Sequence, residues 1–99
     1  MQVVCKFEFP MWQNPEIIEA HLASAIVAAE YVFGQPKVRI NGGYFLSKAQ
    51  KSQGTTKVVI DVTTEVGEHI AQVFTGMMIR HFGEDTFTVE RKYAQTIKG

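Results

Sequence analysis

The chain has 99 residues, of which 45% are hydrophobic and 20% charged, a balance that indicates one folded soluble domain spanning 1–99 and excludes a disordered chain. Ten cations offset ten acids, yet no carboxylate occurs between Glu30 and Asp61, where Lys37, Arg39, Lys48, Lys51 and Lys57 stand against none; the rest of the chain holds five cations against ten acids. The single cysteine, Cys5, excludes an internal disulfide or thiolate cluster and fits a reducing, cytoplasmic setting, and neither a signal peptide nor a membrane-spanning run is present.

Residues 2–9 alternate, with Val3, Cys5, Phe7 and Phe9 on one side and Gln2, Val4, Lys6 and Glu8 on the other, as in a half-buried strand ended by Pro10. Asn14-Pro15-Glu16 is a helix start: a capping side chain, a proline at the first helical position, and an acid where the helix dipole favours it. This helix is expected to run to Phe33 and stop at Gly34. Pro36 opens an extended run over 37–41. Gly42-Gly43 reads as a bulge or kink, 44–48 as a resumed strand, and 50–54 as a hairpin tip. Residues 55–63 form the clearest strand, with Val58, Ile60 and Val62 on one face and Lys57, Val59 and Asp61 on the other. Thr64 caps a second helix to Phe82, closed by Gly83, and a last strand covers 86–93.

The order β-α-β-β-α-β predicts an α+β, ferredoxin-like βαββαβ plait: a four-stranded antiparallel sheet with both helices on one face. Five strands result if the second one splits at Gly42-Gly43. The other sheet face is expected to show Val4, Lys6, Glu8, Arg39, Lys57, Val59, Asp61, Thr86, Thr88, Glu90 and Lys92. It lacks the stacked aromatics of RNA-recognition domains, which disfavours that function.

Helix 1 is too apolar to cover one sheet only. Beyond its core stripe it carries a seam of Ala20, Ser24, Val27, Ala28 and Tyr31 that suits close approach of another helix, and this points to a homodimer or larger assembly. In helix 2, Val66, Ile70, Val73, Phe74 and Met77 are expected in the core, with Ala71, Met78 and Phe82 partly outside it. Gly67 and Gly76 weaken that helix unless something packs against them.

The basic segment 37–57 is the leading candidate for binding. Arg39, Lys48, Lys51 and Lys57 suit phosphates or an acidic protein, and Tyr44 is available to stack on a base. The competing reading is a solvated hairpin whose lysines guard a strand edge. Gly42-Gly43 is no phosphate loop, since the helix and Lys-Ser/Thr of a P-loop are missing. His69 and His81, twelve residues apart on one helix, are about 120° apart around it and cannot share a metal. Glu65 and His69 form one i,i+4 pair, short of a metal site. His21 and Ser24 lack an orienting acid or an oxyanion hole. Cys5 falls on the inward face. Trp12 either plugs one end of the core or marks an interaction patch. No catalytic residue, metal or cofactor is implied.

In element order and length, this outline resembles small ferredoxin-like families. The arginine-bearing glycine-rich loop that acylphosphatases carry after strand 1 is absent from 9–14, and the Cys-x-x-Cys of heavy-metal chaperones is absent because Cys5 stands alone. Dimeric α+β barrel monooxygenases, which pair through sheets, match in outline without a shared motif. The expectation is therefore a non-enzymatic binding or regulatory module, oligomeric, whose basic hairpin meets nucleic acid or an acidic protein. The alternatives are a small-molecule binder or enzyme with its pocket at a helix–sheet or dimer interface, and a pure assembly module.

Overall fold

The computed structural model describes residues 2–49 and 54–94. Its elements are β1 (Gln2–Phe9), α1 (Pro15–Phe33), α2 (Gln35–Asn41), β2 (Tyr44–Ser47), β3 (Thr56–Asp61), α3 (Glu65–Phe82), a 3-10 turn at Glu84–Thr86, and β4 (Thr88–Ala94). The fold is α+β: among the described residues there are three helices and an antiparallel four-stranded sheet in the order β2-β3-β1-β4.

Alternation decides which face of the sheet is buried. Cys5, Phe7 and Phe9 of β1 and Thr56, Val58 and Ile60 of β3 lie in adjacent rows and are buried. Against them α1 sets Ile18, Leu22, Ala25 and Ala29, and α3 sets Val66, Ile70, Phe74 and Met78. Phe74 is the hinge of this core, its ring edge-on to Phe7 at 4.9 Å and to Phe9 at 6.2 Å. Both long helices start as the sequence requires. The Asn14 side chain accepts the Glu16 N–H at 2.9 Å, and the Thr64 hydroxyl accepts the Gly67 N–H. The first helix stops at Gly34, whose φ of 91° only glycine adopts freely and whose N–H bonds the Glu30 carbonyl.

Residues 37–41, expected as a strand, are instead the body of α2. Pro36 sits in the first turn, where its missing N–H is harmless, Val38 points into the core, and the Gly42 N–H closes on the Val38 carbonyl at 2.7 Å. Alternation over five residues cannot separate a strand from a short helix with one buried residue, and Ile40, 81% exposed, shows that only Val38 was needed inside. The helix packs against α1 and α3. Four strands are therefore present among the described residues, and Gly42-Gly43 joins a helix to β2 instead of splitting a strand.

Two further expectations change. The buried stripe of α3 runs through Gly67, Ala71 and Met78, while Val73 and Met77 are only partly buried. Gly67 explains the rotation: a Cβ there would overlap the Asp61 carbonyl, so the helix rests directly on the end of β3. On β4 the strand begins at Thr88, because Glu84–Thr86 is a 3-10 turn. The expected tip at 50–54 falls mostly outside the described residues.

Candidate interaction surface

β2 is one edge of the sheet, and its sequence Tyr-Phe-Leu-Ser carries no charge. The opposite edge, β4, carries Glu90, Arg91 and Lys92. Register fixes where each β2 side chain goes. Tyr44 and Leu46 lie opposite the buried Ile60 and Val58, so they face the helices; Phe45 and Ser47 lie opposite Val59 and Lys57, so they face outward. With no fifth strand beside them among the described residues, Tyr44 and Phe45 remain 54% and 62% exposed. The open sheet face, expected without aromatics, thus bears Phe45, while Arg39 and Thr86 leave it for α2 and the 3-10 turn.

A shallow apolar hollow lies on each face of β2. One, of about 270 Å³, is lined by Val4, Tyr44, Phe45 and Val59 together with the hydrogen-bonded side chains of Gln2 and Asp61. The other, of about 260 Å³, lies between the strand and α1 and is lined by Ala23, Ile26, Val27, Tyr44 and Leu46, with Glu19 as its one charged residue. The small side chain of Ala23 and the outward turn of Val27, 46% exposed, leave this groove unfilled.

The basic segment is more neutral in space than in sequence. Lys48 Nζ lies 2.7 Å from Glu19 Oε1 and 3.1 Å from Glu16 Oε2, across from the first turns of α1. Hydrogen bonding to Glu19, then to Glu16, pushes the Lys48 ammonium's pKa up. Lys37 pairs with Glu65 at 3.4 Å and lies over the Phe33 ring. Lys57 stands opposite Glu8 in the sheet, and both line a polar hollow of about 600 Å³ with Ser47, Lys48 and Thr55. Arg39 is exposed on α2 and makes no ion pair among the described residues. Lys51 lies outside the described residues. The structure therefore brings Lys48 and Lys57 together and supplies Lys48 with acids that sequence spacing could not reveal.

Of the expected helical seam, Ala20, Ser24, Val27 and Tyr31 are exposed, Tyr31 at 88%, while Ala28 is half-buried. Val27 belongs to the groove beside β2. Ala28 lies seven residues after His21, on the flank of α1 where the His21 ring meets His81 of α3 at 5.0 Å. That histidine contact escaped the sequence because it joins two helices sixty residues apart. His69 packs edge-on to Phe33, and its neighbour Glu65 pairs with Lys37, so the i,i+4 pair does not form a site. Among the described residues no three His, Cys, Asp or Glu side chains converge to hold a metal ion, and no buried side-chain nitrogen or oxygen lacks a partner.

Cys5 is buried as expected, and that burial pushes its thiol pKa up despite the opposing charge of Arg91. Arg91 reaches from β4 to grip both carboxylate oxygens of Glu68, at 3.0 and 3.2 Å. Trp12 is 70% exposed and therefore does not plug the core; Gln13 turns inward instead. No described helix is long and apolar enough to cross a membrane. No protein-family model matches the chain, and no curated protein matches it in sequence.

Proposed function

We propose that this protein is a non-enzymatic binding and regulatory module that works as a homo-oligomer, with the β2 edge and the adjoining side of α1 as its contact surface. One observation carries the reading: an uncharged edge strand stands between two apolar hollows, with aromatic side chains exposed on both of its faces. Edge strands exposed to solvent are usually guarded by charge, proline or a covering element. The surface residues expected from helix 1 join this reading through Val27. The core order strand-helix-strand-strand-helix-strand, with β1 and β3 central, supports a ferredoxin-like plait to which α2 is added. A cytoplasmic location goes with the lone cysteine.

Sedimentation velocity over a dilution series tests this directly. A mass that rises from one chain to an oligomer with concentration is the expected result. A monomer at every concentration overturns it.

A second reading has its own observation. Lys48 and Lys57 line the same polar hollow, and Arg39 and Tyr44 are exposed nearby in the chain, an arrangement suited to an anionic partner such as a nucleic acid or an acidic protein. Glu16 and Glu19 oppose it by pairing with Lys48, and Glu8 places a further carboxylate opposite Lys57 in the sheet.

A further inference from the structure

We propose that β2 pairs antiparallel with β2 of a second copy of this chain, about a two-fold axis at Phe45, joining two four-stranded sheets into one. This rests on the self-association proposed above and specifies its surface and register.

Backbone parity comes first. The Asp61 N–H bonds the Gly43 carbonyl at 2.9 Å, so residues 43, 45 and 47 turn their N–H and C=O groups toward β3. The bond from Val62 N–H to the Val3 carbonyl, at 2.8 Å, agrees, because it assigns the alternate residues of β3 to β1. Tyr44 and Leu46 therefore direct their backbone groups away from the sheet. In an antiparallel pairing centred on Phe45, Tyr44 faces the partner's Leu46. Each of these residues has its donor and acceptor turned to the other, and symmetry repeats the exchange. Phe45 then faces the partner's Phe45 in a non-hydrogen-bonded pair, where side chains approach most closely.

Side chains agree with the backbone. The pairing sets the two Phe45 rings together at the mouths of the outer hollows, and places Tyr44 beside the partner's Leu46 under the open flank of α1. On the outer face, the row from Lys57 through Ser47 continues across the partner's Gly43 to the partner's Asp61, with opposite charges at its ends and small residues between. Other registers do worse. A one-residue slip would set Phe45 against the partner's Tyr44 or Leu46, so that outer-face side chains meet helix-face ones and the outward-facing backbone groups no longer oppose each other. Centring on Leu46 would bring Lys48 opposite the partner's Tyr44 and draw it from Glu16 and Glu19. The contact would consist of one four-residue strand, its exposed aromatics and the Val27 flank, which is small for a specific interface. The dimer is therefore one that dissociates on dilution.

Phe45→Cys and Tyr44→Cys test this, each oxidised with copper–phenanthroline after circular dichroism confirms the wild-type fold. Non-hydrogen-bonded antiparallel partners have Cα atoms about 4.5 Å apart, within the span of a disulfide. Phe45→Cys should cross-link to a covalent dimer at least tenfold faster than Tyr44→Cys, whose counterpart is the partner's Leu46. Equal rates would show random collision and overturn the pairing. No cross-link from Phe45→Cys while the wild type sediments as a dimer would also overturn it, leaving self-association to another surface. A wild type monomeric at every concentration would remove both proposals.

Discussion

Gly67 and Gly76 lie on the same helix, yet an alanine at each should act with opposite sign. Alanine in a helix interior is favoured over glycine by about 1 kcal/mol. At Gly76 nothing lies within 4 Å of an added Cβ, so Gly76→Ala should realise that gain and raise Tm by about 4–8 °C. At Gly67 the same Cβ would overlap the Asp61 carbonyl oxygen and lie 3.2 Å from Val62 Cα. These are backbone atoms, with no rotamer that relieves them. The helix must lift from the end of β3, and its neighbours Val66 and Ile70, both buried, move with it. Overpacking costs typically about 1–3 kcal/mol, and a rigid backbone neighbour places this site at the top of that range. The net for Gly67→Ala is a loss of about 2 kcal/mol, or about 10 °C in Tm. Thermal and urea melts of both variants, at dilutions where the protein is monomeric, decide it. A Gly67→Ala protein as stable as wild type would refute the contact between α3 and β3. A destabilised Gly76→Ala would refute the open space around Gly76.

The grip of Arg91 on Glu68 makes stability fall at acid pH. The hydrogen bonds from Arg91 hold the Glu68 carboxyl below its ordinary value of 4.5, so its contribution is present above that value and is lost as pH falls through the lowered one. Melting temperatures of Glu68→Gln should decline less steeply below the ordinary carboxylate range than those of wild type. Matching declines would mean that the pair does not couple to folding. For the anionic-partner reading, binding to a single-stranded oligonucleotide should weaken steeply with salt, and replacing Lys57 or Arg39 by Gln should weaken it several-fold. Binding that ignores salt, or variants equal to wild type, would leave the self-pairing edge as the functional surface.

The features legible in the sequence were those with local causes. Asn14, Thr64, Gly34 and Gly83 mark helix ends through their own backbone chemistry, and the alternations of β1 and β3 persist long enough to assign their buried faces. The run at 37–41 was too short for its period to decide, and only the packing of Val38 against the long helices makes it a helix. The rotation of α3 depends on contact with the Asp61 backbone, which no hydrophobic pattern records. At the candidate surface, the aromatic pair at Tyr44 and Phe45 was visible, but their opposite faces followed only from pairing with β3. The basic segment was visible too. Its pairing with Glu16, Glu19 and Glu65 was not, because these acids lie outside the segment and arrive through the packing of α1 and α3.

The most direct test of the self-pairing edge is amide hydrogen exchange of residues 44–47 by NMR, at a dilute and a concentrated protein solution. Phe45 and Ser47 donate to β3 and should exchange slowly in both. Tyr44 and Leu46, whose N–H groups face outward, should exchange quickly when dilute and become protected as concentration rises. Tyr44 and Leu46 amides that stay as fast in the concentrated sample, while sedimentation there reports a dimer, would contradict pairing through β2.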